Sequence, residues 1–195
     1  MFLELAEVLN RSEVERLRGL AGQARFVEGK ASNPHSQVKN NQQIDPADRA
    51  FGEASRLMAA ALQRCEAFRD FAAPRIVAPP ILARYTPGMN YGVHSDAPVM
   101  MLAGGPIRSD LSCTLFLAEP DSYDGGQLAI HLGGRRLEFK GQPGAIVVYP
   151  STTLHEVQPV TRGERLVGLS FIESQIRDQS KREILYQLNE VAALE

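Results

Sequence analysis

The chain has 195 residues, of which 44% are hydrophobic and 23% are charged, and its formal net charge is -2. This composition excludes a disordered or fibrous protein and fits a single globular domain with a substantial core. The near-neutral charge provides no electrostatic footprint for nucleic acid or for an acidic membrane surface. We therefore expect small molecules or proteins as partners.

The N-terminus and the cysteines predict the compartment. Residues 1–8 include acidic side chains where a signal peptide needs a basic region followed by an apolar run. No later stretch approaches the roughly 18 apolar residues of a membrane-spanning helix. Cys65 and Cys113 form no Cys-x-x-Cys pair and are interpreted as small core residues in a reducing compartment. We expect a cytoplasmic protein.

The first 45 residues begin with a predicted short strand at residues 2–5. Ser12 and Glu15 have the spacing of a capping box, which predicts a helix running to about Leu20. Residues 23–28 are interpreted as a strand. The polar run of residues 30–45 is either a loop or a strand beside a site, and a solvated surface segment is the favoured interpretation.

The next element is a predicted amphipathic helix. Asp45 and Pro46 indicate its start, with the aspartate as cap and proline at the first helical position. Apolar residues then recur at helical spacing, at Phe51, Ala54, Leu57, Met58, Ala61, Leu62, Cys65 and Phe68. We expect this helix to pack against a sheet, and its apolar stripe needs no cofactor to explain it.

After residue 74 the pattern changes to short extended runs separated by glycine-rich turns. The predicted strands lie near residues 81–86, 91–96, 111–117, 127–132, 135–140, 144–149, 154–160 and 165–172. Many short strands at regular spacing predict a sandwich or jelly roll. A final helix is predicted at residues 178–194, with Ile184, Leu188 and Val191 on one face.

The segment from Tyr91 to Asp96 contains a candidate metal site. In extended backbone, alternate side chains share a face, so His94 and Asp96 project together. One further histidine would complete two histidines and one carboxylate on one face of a metal, which suits iron(II) and leaves coordination positions open. His155 is the candidate for that third ligand.

Two other histidines are not expected to be ligands. His131 lies on the strand face opposite Leu128, Ile130 and Leu132, and is predicted to be exposed. His35 lies in the polar run.

Arg165 begins a predicted strand in which it shares a face with Val167, Leu169 and Phe171. A guanidinium that faces inward needs a partner. That partner is either a carboxylate of the chain or an anionic small molecule held by the bidentate fork. The candidate carboxylates are Asp110, Asp121, Asp124 and Glu138.

The ordered set of His94-x-Asp96, His155 and Arg165 resembles the signature of iron(II)- and 2-oxoglutarate-dependent dioxygenases of the prolyl 4-hydroxylase type. Further motifs resemble the bacterial PKHD-type hydroxylases, and the similarity covers most of the chain. These motifs are Lys39-Asn40-Asn41-Gln42, Arg84-Tyr85-x-x-Gly88-x-x-Tyr91, Asp110-Leu111-Ser112, Asp124-Gly125-Gly126-x-Leu128 and Thr161-Arg162-Gly163-Glu164-Arg165.

The resemblance implies an α+β, mainly β fold with a double-stranded β-helix, or jelly-roll, core. We expect one domain over residues 1–195, with the catalytic core at 75–175, N-terminal helical and strand support at 1–74, and the C-terminal helix at 176–195. Members of this family usually continue past that helix with a further small segment, whose role is not assumed for this chain. Oligomeric state is left open.

The resemblance also implies roles for the site residues. His94, Asp96 and His155 would hold iron(II), and Arg165 would pair with the distal carboxylate of 2-oxoglutarate. Tyr85 or Tyr91 would add a hydrogen bond to that carboxylate, although a core aromatic with a satisfied hydroxyl explains either one equally well.

The implied reaction consumes O2 and converts 2-oxoglutarate to succinate and CO2 while it hydroxylates a second substrate. That substrate would be a small molecule or a peptide, for example a prolyl or other amino-acid side chain. Asp96 favours hydroxylation, because related halogenases lack the carboxylate ligand. L-Ascorbate is expected as an auxiliary reductant.

Two alternatives remain open at this point. The same three ligands could hold zinc in a hydrolase, because zinc also accepts histidine and carboxylate. A jelly roll could also sense iron or a 2-oxo acid without turnover, since fold does not fix function.

Overall fold

The computed structural model describes residues 1–33 and 36–194. The helices are α1 (Arg11–Gln23), α2 (Arg49–Arg64), α3 (Glu66–Ala72) and α4 (Gln179–Ala192). The strands of the N-terminal part are β1 (Leu3–Leu5), β2 (Phe26–Glu28), β3 (Lys39–Asn40) and β4 (Gln42–Ile44). The remaining strands are β5 (Pro74–Val77), β6 (Ile81–Tyr85), β7 (Asn90–His94), β8 (Val99–Leu102), β9 (Gly105–Arg108), β10 (Leu111–Phe116), β11 (Asp124–Gly125), β12 (Leu128–Leu132), β13 (Arg135–Phe139), β14 (Ile146–Pro150), β15 (His155–Val157), β16 (Val160–Arg162) and β17 (Arg165–Ser174).

Two antiparallel sheets form the body of the molecule. The major sheet has the order β1-β14-β10-β17-β6-β4-β2, and β5 also pairs with β17. The minor sheet has the order β13-β12-β15-β7-β3. Short two-stranded pairs, β11 with β16 and β8 with β9, connect and flank them. The predicted jelly roll, mainly β with helices before and after it, is confirmed.

The core has two layers because the major sheet is covered on both faces. Its outer face packs against α1, α2 and α3 through fully buried side chains such as Leu17, Met58 and Phe68. Its inner face meets the minor sheet through Val147, Val167 and residues of the same kind. Each large apolar side chain buried in this way stabilises the fold by about 1.5–3 kcal/mol. The sheets are therefore held rigidly around the space between them.

The helix starts differ from the predictions. Asn10, not Ser12, caps α1: its side chain accepts from the Glu13 amide, and Glu13 reaches back to the Asn10 amide. The Ser12 hydroxyl donates to Asn10 Oδ1. Asp48 caps α2 in place of the predicted Asp45.

The helix predicted to run through Phe68 is also divided. It ends at Arg64, and α3 begins after Cys65.

Most strands after residue 74 lie where they were predicted, with three corrections. Residues 154–160 form the separate strands β15 and β16. The hairpin of β8 and β9 was missed, as were β5 and β11. The strand predicted at residues 91–96 ends at His94, and Asp96 follows in irregular backbone.

The C-terminal helix was predicted correctly, but its apolar stripe does not pack on the core. Ile184, Leu188 and Val191 are each more than half exposed. The helix is attached instead through Tyr186, whose ring packs edge-on against Phe71 at 5.3 Å, and through buried Arg182, which donates to the Ile176 carbonyl.

Candidate active site

A cavity of about 320 Å³ lies between the two sheets. Strands β7 and β15 of the minor sheet and β6, β10 and β17 of the major sheet contribute to its walls. A volume of this size is at the lower end of the range for small-molecule sites. The site residues predicted from the sequence all line it, namely Tyr85, Tyr91, His94, Asp96, His155 and Arg165.

The structure brings His94, Asp96 and His155 together. Their ligand atoms all lie within 4.8 Å of one another. His94 and His155 are paired across β7 and β15, so the sheet register itself aligns the two imidazoles. Asp96 lies beyond the end of β7, where its amide donates to the Ser151 carbonyl at 3.0 Å. The Val93 side chain is 49% exposed, as expected for the residue that alternates with this pair.

Hydrogen bonds to the backbone orient both imidazole rings. His94 Nδ1 lies 2.7 Å from the Gly92 carbonyl oxygen, and His155 Nδ1 lies 2.9 Å from that of Thr153. Since a carbonyl only accepts, each Nδ1 carries the proton. The Nε2 atoms lie 3.8 Å and 3.6 Å from the Asp96 carboxylate oxygens, so their lone pairs face the same centre. This is how metal-binding histidines are normally held.

The charge state of His94 also suits metal binding. Burial, with a smaller contribution from neighbouring His155, lowers the pKa of His94 to about 4. The ring is therefore neutral at pH 7, which is the form that coordinates a metal. Two imidazoles and one carboxylate fit iron(II).

Arg165 faces the cavity, as predicted from the alternation in β17. Its side chain is only 1% exposed, and its guanidinium carbon lies 5.0 Å from the centre of the Tyr85 ring. None of its three guanidinium nitrogens has a hydrogen-bond partner of good geometry among residues 1–33 and 36–194, and the nearby Tyr123, whose pKa is raised by burial, is a neutral phenol that supplies no counter-charge. Gly126, with a φ of +67°, leaves room for it, because a Cβ there would lie 3.1 Å from Arg165 Cδ.

None of the four candidate carboxylates pairs with Arg165. Asp110 pairs with Arg108 at 3.0 Å, Asp124 with Arg162 at 2.7 Å and Glu138 with Arg136 at 3.0 Å. Asp121 is exposed. An internal salt bridge with one of these carboxylates therefore does not explain the buried guanidinium, which leaves the second of the two predicted partners, an anionic small molecule.

The two candidate tyrosines lie at different ends of the site. Tyr85 is paired with Arg165 across β6 and β17, and burial raises its pKa, so its hydroxyl is a neutral donor beside the guanidinium. Tyr91 stacks on His94 with ring centres 3.5 Å apart. Of the two, Tyr85 is the neighbour of Arg165.

Other cavity residues were missed from the sequence. Lys39 and Gln43 belong to the polar run interpreted as solvated surface, yet they are 6% and 7% exposed and line the cavity. Their side chains alternate in burial with those of Asn40 and Gln42, but every residue from 39 to 43 is polar, so the sequence gives no signal of this alternation. Tyr149 packs edge-on against His155 at 4.9 Å and was not singled out either.

His131 is not exposed as predicted. It is partly buried, and its Nε2 lies 3.4 Å from Glu156 Oε1, outside the cavity lining. Leu132, predicted to share the inward face, is 44% exposed because β12 ends there. His35 lies outside the described residues.

Comparison with known proteins agrees with this geometry. Residues 80–173 match the model of the 2OG-Fe(II) oxygenase superfamily. A PKHD-type hydroxylase of Sphingopyxis alaskensis is 50% identical over 192 residues, which are 98% of this chain and 88% of that protein.

Two solved structures share the fold. A Pseudomonas putida prolyl-4-hydroxylase has a TM-score of 0.61 at 23% identity, covering 90% of this chain and 93% of that one. HygX from Streptomyces hygroscopicus, solved with nickel and 2-oxoglutarate, has a TM-score of 0.62 at 13% identity, covering 90% and 83%.

Proposed function

The chain belongs to the PKHD-type hydroxylases of the 2OG-Fe(II) oxygenase superfamily, and we propose that His94, Asp96 and His155 hold its iron(II) while Arg165 binds 2-oxoglutarate. As a member of that family it is an iron(II)- and 2-oxoglutarate-dependent hydroxylase whose substrate is unidentified.

The observation that carries the proposal is the unpartnered guanidinium of Arg165. A buried guanidinium without a partner is strongly unfavourable, so its position has to be explained by a ligand. Arg165 lies in the same cavity as the histidines and Asp96, on the opposite sheet. A dicarboxylic 2-oxo acid has one end suited to a metal and another suited to a bidentate guanidinium.

When bound, iron(II) and 2-oxoglutarate would supply the oxidising chemistry with O2, of which one oxygen atom would enter the succinate formed with CO2 from the 2-oxo acid and the other would become the hydroxyl group of the substrate. The protein contributes position and shielding. Arg165 and the Tyr85 hydroxyl hold the distal carboxylate, which fixes the orientation of the cosubstrate. The buried rings of Tyr149 and Tyr85, with Leu128 and Val157, line the cavity and exclude water from it.

The proposal extends to the auxiliary reductant, the cellular location, the partners and the class of substrate. L-Ascorbate would keep the iron reduced. The unpaired Cys65 and Cys113 support a cytoplasmic location, and the net charge of -2 supports a protein that does not bind nucleic acid or membranes. The substrate would be a small molecule or a peptide side chain, such as a prolyl residue.

The zinc-hydrolase and sensor alternatives are less well supported. A hydrolytic zinc site gives no reason for a buried, unpartnered Arg165, and the family membership is that of hydroxylases. A sensor would need the same ligands but no turnover.

Three variants test the assignments in the uncoupled conversion of 2-oxoglutarate to succinate. Asp96→Ala should abolish iron-dependent succinate formation with little loss of folding. Arg165→Met should raise the 2-oxoglutarate concentration needed for half-maximal turnover by roughly 100-fold, because a buried charge pair is lost. Arg162→Met removes an exposed arginine on the neighbouring strand β16 and should behave as wild type.

Different results would refute the metal-ligand assignment and the assignment of Arg165 to 2-oxoglutarate. Normal turnover by the Asp96 variant refutes the ligand set. A lower melting temperature for Arg165→Met with an unchanged 2-oxoglutarate requirement makes Arg165 a structural residue.

A further inference from the structure

The segment that contains Lys39 bridges the two sheets at the metal end of the cavity. Strand β3 pairs with β7 of the minor sheet, and β4 pairs with β6 of the major sheet. Lys39, Asn41 and Gln43 are 6%, 4% and 7% exposed, so the alternation of this segment turns three polar side chains inward.

Lys39 lies close to the metal ligands. It is paired with Tyr91 across β3 and β7, and its Nζ lies 5.5 Å from the centre of the Tyr91 ring. That ring stacks on His94. The Tyr91 ring thus contacts both the ammonium group of Lys39 and the imidazole of His94, which is a proposed metal ligand.

The two buried cations of the cavity, Lys39 and Arg165, lie at different ends of it. The charge of Lys39 acts on Asp96 and His94. The charge of Arg165 acts on Tyr85 and Tyr123. Arg165 is assigned to the cosubstrate, and Lys39 is the second buried cation in the described lining of the cavity.

A count of charges supports a second anion. Iron(II) and 2-oxoglutarate carry opposite double charges, which cancel. The described residues that line the cavity include one carboxylate, Asp96, and two cations, Lys39 and Arg165, so the lining carries one net positive charge. Burial disfavours that charge and lowers the pKa of Lys39 to about 8, so it is still protonated at pH 7. A singly charged carboxylate would balance it.

We propose, on the basis of the function proposed above, that Lys39 binds a carboxylate of the primary substrate and so selects acidic substrates. An ammonium group has three donors, so its contacts within the protein leave room for a ligand. Gln43, on the same face, adds an amide. Ala97 and Met100, before and on β8, line the same cavity and offer apolar contact to the rest of the substrate. A single ammonium matches a carboxylate better than a phosphate, which favours several donors or a guanidinium fork.

Acetate and acetamide are the probes, because they have the same shape and differ in charge. Each is added at constant ionic strength to anaerobic protein loaded with Mn(II) and saturating 2-oxoglutarate, and the relaxation rate of its methyl protons is measured. A probe bound near the paramagnetic metal relaxes faster. The variants are Lys39→Met, Lys39→Arg and, as a control at an exposed lysine of α4, Lys181→Met.

Acetate should show a saturable relaxation enhancement with wild type, and acetamide should show none. Lys39→Met should weaken acetate binding at least tenfold, whereas Lys39→Arg and Lys181→Met should retain it. An equal acetate response in wild type and Lys39→Met, or no response in wild type, overturns the proposal.

Visible absorption of the iron(II) and 2-oxoglutarate complex separates this result from a failure of the proposed function. If wild type gives no such absorption, the cosubstrate assignment itself is wrong. If absorption forms but Lys39→Met needs over tenfold more 2-oxoglutarate while its acetate response is unchanged, Lys39 binds the cosubstrate and the proposal is overturned.

Discussion

A chain of buried serine hydroxyls holds Asp96. Ser112 Oγ lies 2.6 Å from Asp96 Oδ2, Ser151 Oγ lies 2.8 Å from Ser112 Oγ, and Ser109 Oγ lies 2.8 Å from Ser151 Oγ. A carboxylate only accepts, so Ser112 donates to it. Each hydroxyl has one proton, so Ser151 must donate to Ser112, and Ser109 to Ser151. All three bonds therefore run in one direction, toward the proposed metal ligand, and strengthen one another.

Because of these serine hydrogen bonds, we expect Ser112→Ala to weaken metal binding. Loss of a hydrogen bond to a ligand typically reduces metal affinity 10- to 100-fold. Mn(II) affinity, measured by calorimetry on folded protein, should fall within that range. Ser109→Ala, at the far end of the chain, should have a smaller effect. Wild-type affinity in the Ser112 variant would mean that the serines only fill space.

At the residue scale, the sequence predicts the residues whose local pattern is informative. His94 and Asp96 share a short motif, and Arg165 interrupts an otherwise apolar strand face. Ser112 and Ser151 could not be found in this way, because their contact joins residues 39 positions apart. The burial of Lys39 could not be predicted, because its sequence neighbours are also polar. Its strand therefore alternates in burial without alternating in polarity.

Among the elements, Glu13 connects the start of α1 to the end of α2. It accepts from Arg64 and from the Asn10 amide. The hydrogen bond with Arg64 lowers the pKa of Glu13, against a smaller opposing effect of burial. A carboxyl group with a lowered pKa in the folded state stabilises the protein above its unfolded pKa, and this contribution is lost as the pH falls through the folded value.

We therefore expect Glu13→Gln to reduce the pH dependence of stability. The free energy of unfolding should be lower than that of wild type by about 1 kcal/mol at pH 7, since Arg64 is half exposed. The difference should shrink as the pH is lowered below about 4.5, where the unfolded carboxyl becomes protonated. Urea unfolding at several pH values measures it. A difference that is constant with pH would show that the charge of Glu13 has no part in it.

The turn before β14 fixes the approach to α1. Gly144 has a φ of +92°, its carbonyl accepts from the Leu9 amide at 3.1 Å, and a Cβ there would lie 2.3 Å from the Leu9 carbonyl oxygen. Gly144→Ala should therefore destabilise the protein by about 3 kcal/mol through strain and overpacking. Gly134, in a hairpin turn with ordinary φ and open space, is the control, and Gly134→Ala should stay within about 0.5 kcal/mol. Equal effects would contradict this explanation.

Competition between neighbouring signals explains why element boundaries were the least predictable feature. Asn10 with Glu13 and Ser12 with Glu15 both have capping-box spacing, and only the first is used. Asp45 instead accepts from the Ala47 amide in a turn, which moves the start of α2 to Asp48. The strands themselves were easier, because alternation and glycine turns repeat along the chain.

At the scale of the whole molecule, the site depends on both sheets. His94 and His155 come from the minor sheet and Arg165 from the major sheet, while β3 and β4 join the two. Because β1 to β4 complete these sheets, we propose that residues 1–74 fold together with the core as one domain. In the described residues no helix is both long and apolar enough to span a membrane.

The assembled cavity can be tested directly by its absorption spectrum. Anaerobic wild-type protein with iron(II) and 2-oxoglutarate should develop the weak visible charge-transfer band of an iron-bound 2-oxo acid, saturating at one iron per chain. Asp96→Ala should not develop it, and Arg165→Met should need far more 2-oxoglutarate. Absence of the band from folded wild-type protein would contradict the assignment of His94, Asp96, His155 and Arg165.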